Sequence, residues 1–268
     1  MILVKRFAGV FFLLLLYVVA YSQHPIVLPK VKNPIVVIAH RGNHVNVPEN
    51  TIASCKEAII GGADYVEVDV RTTKDGHLVV LHDATVDRTT NGGGKISGMT
   101  LEEVKKLQVF NHNKKTHRIP EFREVLAVCK DKINIYLDFK DADVAETWKQ
   151  IKAAGMESQV IIYLNKESQY KQWKDAAPQI PLMTSLPKDV TNKEQMQVFL
   201  GNVNVQLLDN VTDPVLVKIA NELGLSVWLD VQSPTEAPTS WKAALEKGVQ
   251  GLQTDKPSEL RTFLSSHL

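Results

Sequence analysis

Cysteine is nearly missing: Cys55 and Cys129 are the only two in 268 residues. Export would permit a disulfide between them, yet each sits in a helix-like apolar pattern where a small hydrophobe packs well, so two separate thiols are expected. Aromatics make up only 7% of the chain, and neither sign of charge dominates, 31 Lys and Arg facing 30 Asp and Glu. That balance argues against a broad nucleic-acid or anionic-membrane surface. No apolar run is long enough for a bilayer: Ala8 to Ala20 is thirteen residues, short of the roughly 20 a span needs. There is no internal repeat, no low-complexity tract after the N-terminal segment and no Walker pattern. In "NGGGK" the three glycines before Lys95 read as loop, not as a nucleotide cradle.

The short apolar run has a different reading. "MILVKRFAGVFFLLLLYVVAYSQ" places Lys5 and Arg6 before it and Ala20-Tyr21-Ser22 after it. This is the three-part pattern of a secretory signal peptide over residues 1–22, which implies a periplasmic or secreted protein with no stable membrane span after cleavage. No Cys follows the run, so lipid attachment is not suggested. Losing Lys5 and Arg6 turns the formal charge from +1 to −1. Residues 23–268 then suit a single domain, since an α/β barrel takes about 250 residues.

What is present is a rhythm. Nine short apolar runs read as strands: "IVVIAH", "YVEVDV", "LVVLHD", "INIYLDF", "VIIYL", "IPLMTS", "VNVQLL", "LSVWLDV" and "GLQTD". Between most of them lie amphipathic segments such as "TIASCKEAIIGG" and "VAETWKQIKAAG", several closing on Gly62, Gly155 or Gly224. Strands alternating with helices predict βαβ units around a parallel sheet, here a (β/α)8 TIM barrel. Nine candidates is one too many. The suspect join is "RTTKDGH", seven residues where a parallel crossover takes a dozen or more. It is either a hairpin around Asp75-Gly76 or a crossover without its helix. Residues 84–118, with a glycine run and one short helix pattern, read as an insertion on the barrel rim.

Four candidate strands end in groups that make poor packing material: His40-Arg41, Glu67-x-Asp69, His82-Asp83 and Asp138-x-Lys140. In a TIM barrel these ends share one mouth, where active sites lie. Glu67 and Asp69 are two apart, as are Asp138 and Lys140, so each pair projects to one face of its strand. Three converging carboxylates repel unless neutralised. A divalent cation resolves this, and all-oxygen ligation favours Ca²⁺ or Mg²⁺, with Mn²⁺ also suitable. Arg41 and Lys140 can take a phosphate, and two imidazoles supply a general base and a general acid. The set describes metal-assisted phosphoryl transfer without a covalent intermediate. Taken singly, each member has a bland explanation: His40 as a core histidine, Lys140 as a solvated lysine, Glu49 as a charge near a helix start, Trp228 as core filler. His44, His77, His112 and His117 read as surface or loop residues, Asp83 as either an orienting group or a turn former, and Asp255 as a brace for the last strand.

In order, the motifs "AHRG", "PENT", "GADYVEVDVRTTKDGHLVVLHD", "VDRTTNGGG", "RIPEFREVL", "LDFK", "VWLDV" and "GLQTDKPSEL" resemble the glycerophosphodiester phosphodiesterase family, relatives of the phosphatidylinositol-specific phospholipase C barrels. They span residues 39 to 260. The resemblance implies His40 and His82 as acid and base, Glu67, Asp69 and Asp138 as metal ligands, and Arg41 and Lys140 as phosphate contacts. Its small-molecule substrate would be a glycerophosphodiester, cleaved to glycerol 3-phosphate and an alcohol. Glu49 and Trp228 are secondary candidates, partner of the site and wall of its mouth respectively. The family usually has Glu where this chain has Asp138. One methylene shorter, Asp138 falls about 1.5 Å short of an ion placed for Glu. An altered substrate range, or a phospho-ligand binder without turnover, is therefore the alternative. A barrel glycosidase could use two of the carboxylates, but Arg41, Lys140 and the two histidines suit a phosphate better.

Overall fold

The computed structural model describes residues 26–110 and 116–267. The signal peptide expected at 1–22, and His112, lie outside the described residues. Three strands come first: β1 (Val36–Ala39), β2 (Tyr65–Thr72) and β3 (Leu78–Val80). A two-stranded ribbon follows, β4 (Val109–Phe110) and β5 (Thr116–His117). The rest of the sheet is β6 (Asn134–Phe139), β7 (Val160–Leu164), β8 (Leu182–Ser185), β9 (Leu207–Asp209), β10 (Ser226–Asp230) and β11 (Gly251–Thr254). All but β3, β4 and β5 run parallel in one ring, closed where β1 pairs with both β2 and β11. Helices fill the crossovers, from α1 (Ile52–Ile60) to the last one, Pro257–His267, so the fold is a (β/α)8 barrel.

The ninth strand candidate is accounted for. β3 pairs antiparallel with β2, Val70 opposite Val80 and Thr72 opposite Leu78. The seven-residue join is a hairpin, its turn closed by Thr73 N–H to His77 O at 2.9 Å and eased by Gly76 at φ 84°. The insertion beyond β3 packs on a small apolar cluster of its own, including Val86, Ile96, Val104 and Val109. It sits on the barrel as a rim, with no second core comparable to the main one.

Period-two alternation divides the barrel strands into two shells. Val66, Val68 and Val70 join Val37, Ile135 and Leu137 in the large outer core under the helices. Ile38, Tyr65, Tyr136, Ile161, Met183, Leu207 and Trp228 fill the lumen. Trp228 is 2% exposed, its Nε1–H donating to Ser226 Oγ at 3.0 Å, and its ring meets Tyr65 edge-on at 5.0 Å. It is therefore the floor beneath the mouth and not a wall of it, which corrects the role of substrate-stacking wall. The indole also explains a glycine inside a strand: a Cβ on Gly251 would stand 2.6 Å from the Trp228 ring. Cys55 and Cys129 are free buried thiols in neighbouring helices. Their mutual hydrogen bond, reinforced by burial, pushes the Cys55 thiol up.

Gly251→Ala should lower stability by about 1–3 kcal/mol through overpacking against Trp228. Chemical denaturation would check this, and an unchanged midpoint would show that the indole can move aside.

Candidate active site

The turn after β1 makes the first half of the site. Arg41 takes a left-handed backbone, φ 51°, and its N–H donates to Glu67 Oε2 at 2.7 Å. Gly42 follows at φ 81°, and any Cβ there would come 2.4–2.7 Å from Ser54 of α1. Glycine is needed here for both conformation and room. This turn brings "PEN" beneath the mouth. Asn50, left-handed at φ 53°, donates from Nδ2 to Asp69 Oδ2 at 2.7 Å and receives Asp69 N–H on Oδ1 at 3.3 Å. Thr51 then caps α1 in a reciprocal pair with Ser54.

Glu67, Asp69 and Asp138 converge as expected, each offering an oxygen within 4.8 Å of the other two. Oxygens so spaced could hold one ion among them, and Asp138 takes its place in the group despite its shorter side chain. Asp69 Oδ1 is buried without an aligned hydrogen bond, although Lys140 Nζ stands 3.1 Å away as an ion-pair partner. An all-oxygen cluster with such an orphan acceptor suits a hard divalent cation. Burial, then Asp69 and Asp138, push the Glu67 carboxyl well above its usual range; burial and Asp69 raise Asp138. Lys140 lies between Asp69 and Asp138, and Asn165 Nδ2–H donates to Asp138 Oδ1 at 2.6 Å. Burial would lower the Lys140 ammonium, but those two carboxylates outweigh it and raise it.

The two histidines are built alike. His40 Nδ1–H donates to Asp255 Oδ1, and His82 Nδ1–H to Asp83 Oδ1, both at 2.7 Å. Each imidazole thus keeps Nε2 for other work. Asp255, read from sequence as a brace, is the partner of His40. Burial would raise it, but the His40 contact wins and lowers it. His44, expected at the surface or in a loop, lies in the loop after β1, part-buried, and donates from Nδ1 to the His40 carbonyl at 3.0 Å. The end of β11 is held by Glu236, 2% exposed, which accepts from Thr254 Oγ1, from Trp241 Nε1 at 2.7 Å and from Asp255 N at 3.2 Å.

Glu49 is a partner of the site. It accepts from Arg41 Nη1 at 3.0 Å and, with both oxygens at 2.8 Å, from Arg88 of the insertion. Burial would raise Glu49, but Arg88 and Arg41 overcome it and hold it at about 2. Arg88 also grips Asp83 through Nε at 2.7 Å, chiefly lowering that carboxyl. One guanidinium therefore ties the Arg41 partner to the His82 partner.

The cavity within has a volume of about 270 Å³ and takes in His40, Arg41, Glu67, Asp69, His82 and Asp138. It also takes in residues that the sequence reading missed: Tyr136, Tyr163, Asn165, Asp209, Asp230 and Gln253. Tyr136 and Asp230 lie on the strand faces already in use, and Asp209 follows the run "VNVQLL" directly. A search of every strand end for polar residues would have found both acids. Burial, then the Asp230 carboxyl, push Asp209 up to about 8.

That shift has a sign. The unfolded chain releases the Asp209 proton near 3.8 and the folded protein only near 8, so between these values rising pH favours unfolding. Glu67 and Asp138 act in the same direction. The midpoint temperature of EDTA-treated protein should fall as pH rises through this window, and Asp209→Asn should fall less. Parallel curves for the two proteins would remove Asp209 from the account.

Comparison with known proteins agrees with this geometry. Residues 40–259 match the model of the glycerophosphoryl diester phosphodiesterase family. A glycerophosphodiester phosphodiesterase of Caldanaerobacter subterraneus is 34% identical over 234 residues, covering 84% of this chain and 95% of its own. Human glycerophosphodiester phosphodiesterase 1 is 30% identical over 257 residues, 89% of this chain and 77% of its own. Among solved structures, a putative glycerophosphoryl diester phosphodiesterase from Silicibacter pomeroyi superposes with a TM-score of 0.77 at 22% identity, covering 89% of this chain and 96% of that one. An Oleispira antarctica phosphodiesterase in complex with sn-glycerol-3-phosphate gives 0.72 at 22% identity, with 86% and 96% covered. The chain belongs to the glycerophosphoryl diester phosphodiesterase family.

Proposed function

We propose that this protein is an exported, metal-dependent hydrolase of glycerophosphodiesters, releasing glycerol 3-phosphate and an alcohol. The observation that carries it is the pairing, in one mouth, of a three-carboxylate cluster with two histidines each held by an aspartate. No helix among the described residues is long and apolar enough to cross a membrane, and export rests on the leader pattern at residues 1–22.

Glu67, Asp69 and Asp138 would hold the cation, Ca²⁺ or Mg²⁺ with Mn²⁺ also suitable. Such an ion supplies Lewis-acid stabilisation of the phosphoryl oxygens and of an ionising hydroxyl. Arg41 and Lys140 offer donors to the phosphate from the same mouth; Arg41 keeps one arm on Glu49, which aims its fork. One imidazole takes the proton from a substrate hydroxyl as that oxygen attacks its own phosphorus. The other protonates the departing alcohol, and water then opens the cyclic phosphate with the roles reversed. Asp255 and Asp83 fix the tautomers and stabilise whichever imidazole is charged. Asp138 lies within the carboxylate group despite its shorter side chain, which supports turnover over the binder reading. Family membership sets the glycosidase aside.

Two experiments test this. Release of glycerol 3-phosphate from a glycerophosphodiester panel should stop with EDTA, return with one added divalent ion, and fall by about 10²–10⁴-fold in His40→Ala or His82→Ala. Folded protein that releases none with any ion would sink the assignment. Arg88→Ala should cost roughly tenfold to a hundredfold in kcat by loosening Asp83 and Glu49 together, and shift the pH profile of kcat. An unchanged profile would reduce Arg88 to a surface residue.

A further inference from the structure

The acids on the far side of the mouth have no place in this mechanism. Around the closed ring, β9 stands opposite β2 and β10 opposite β6, so Asp209 and Asp230 face the metal-type carboxylates across the cavity. Asp69 and Asp138 share Lys140, but Asp209 and Asp230 have no Lys or Arg partner among the described residues. Asp230 receives amides, Gln253 Nε2 at 2.8 Å, Asn210 Nδ2 at 3.4 Å and Gln232, with the His40 imidazole as its nearest positive group, and Asp209 receives Ser185. A second, independent sign lies beside them. Gln253 is 7% exposed and lines the cavity, and its Oε1 is buried with no hydrogen-bond partner. Gln232 Oε1, on the same wall, is unpartnered too. The donors on this wall, Gln253, Asn210, Gln232 and Ser185, are already engaged with the two acids, which leaves acceptors to spare. Between it and the metal-type cluster stand Tyr136 and Tyr163, ring centres 6.0 Å apart and tilted by 46°.

Charge points the same way. Setting the two histidine–aspartate pairs aside, five carboxyls line the cavity with Arg41, and Lys140 bridges Asp69 and Asp138. With all five ionised, one divalent ion leaves that count short by one positive charge, and a phosphodiester then adds another negative one. The surplus sits on Asp209 and Asp230, away from the ion. Burial drives both carboxyls upward, and the His40 imidazole offsets only part of this at Asp230.

We propose that Asp209, Asp230, Gln253 and the two tyrosines form a subsite for a cationic amine on the substrate, which makes the preferred diesters those of the ethanolamine and choline class. The proposal rests on the phosphodiesterase reading for its substrate, but the subsite has a chemistry of its own. A primary ammonium carries donors for the unpaired acceptors, and a quaternary one meets carboxylates and aromatic faces. A zwitterionic diester then satisfies both sides of the mouth, phosphate towards Arg41 and amine towards Asp209. A neutral polyol can supply hydroxyl donors but leaves the charge in place.

The test separates the two readings. Calorimetry on the Ca²⁺-loaded protein compares ethanolamine and choline with 3,3-dimethylbutan-1-ol, the uncharged carbon analogue of choline. Turnover is then compared between glycerophosphocholine, glycerophosphoethanolamine, glycerophosphoglycerol and the diester of the carbon analogue. The amines should bind where the carbon analogue does not, and kcat/KM should favour the cationic diesters by about tenfold. That ratio should fall towards one in Asp209→Asn and Asp230→Asn. Amine binding that needs Asp209, with no diester turned over, keeps the subsite and sinks the phosphodiesterase reading. Brisk turnover with equal or greater preference for the neutral diesters overturns the subsite, as does an Asn variant that lowers all substrates alike. Should either variant fail to fold, the wild-type preference still decides.

Discussion

Mutual repulsion of carboxyls inside a closed barrel is the constraint around which this structure is arranged. Glu67, Asp69, Asp138, Asp209 and Asp230 share one opening of about 270 Å³. Placing like charges in so little water is costly, and the protein offsets the cost with named donors. Arg41 gives Glu67 its backbone N–H, Asn50 gives Asp69 a side-chain amide, and Asn165 and Lys140 hold Asp138. What these do not neutralise remains as field. Three of the carboxyls are close enough to share an ion, and the other two face them with no Lys or Arg partner among the described residues.

Local backbone geometry follows from that need. The left-handed residues Arg41 and Asn50 flank the turn that lifts "PEN" under Asp69, and the Asn50 N–H to Arg41 O bond at 2.9 Å locks it shut. Non-glycine residues in that conformation each store strain of about 1–3 kcal/mol, held by the surrounding structure. Here the restraint is specific: Gly42 lies so tightly on Ser54 that a side chain between the turn and α1 has no room. The same helix is capped by Thr51, the residue after Asn50. Ligand positioning and helix initiation are therefore one piece of chain.

Most of the barrel could be read from period-two alternation, with limits that have physical causes. Eight of nine strand candidates are barrel strands, and the ninth is β3, because seven residues allow a hairpin more easily than a parallel crossover. On β2 the pattern alone left open which face was buried, since Val66, Val68 and Val70 alternate with Glu67 and Asp69. Both faces are buried in a barrel, and helices claimed the valines. Residues with ligand or imidazole chemistry stood out by type and lie together. Their supports did not, because support is a matter of distance in space: Asp255 is 215 positions from the imidazole that it orients. Glu236, Asn50 and Arg88 escaped for the same reason. Trp228 misled in the other direction, its aromatic surface being needed beneath the mouth, against Gly251.

The two histidine pairs show how far the insertion is part of the site. His40 and Asp255 are held by the barrel itself, through Glu236 buried behind β11. His82 and Asp83 lie past the end of β3; Arg71 of β2 holds the His82 carbonyl through Nε at 3.0 Å, and Asp83 is held by Arg88. Arg88 has its other arms on Glu49, which in turn holds Arg41. Displacing the insertion would thus disturb one imidazole and the main guanidinium together while sparing His40. A fork bonded to two carboxylates has few alternative geometries, so Arg88 favours states in which both are in place. The rim then acts as the second half of the catalytic wall, joined to the first by these ion pairs as well as by the hydrogen bonds of the β2–β3 hairpin.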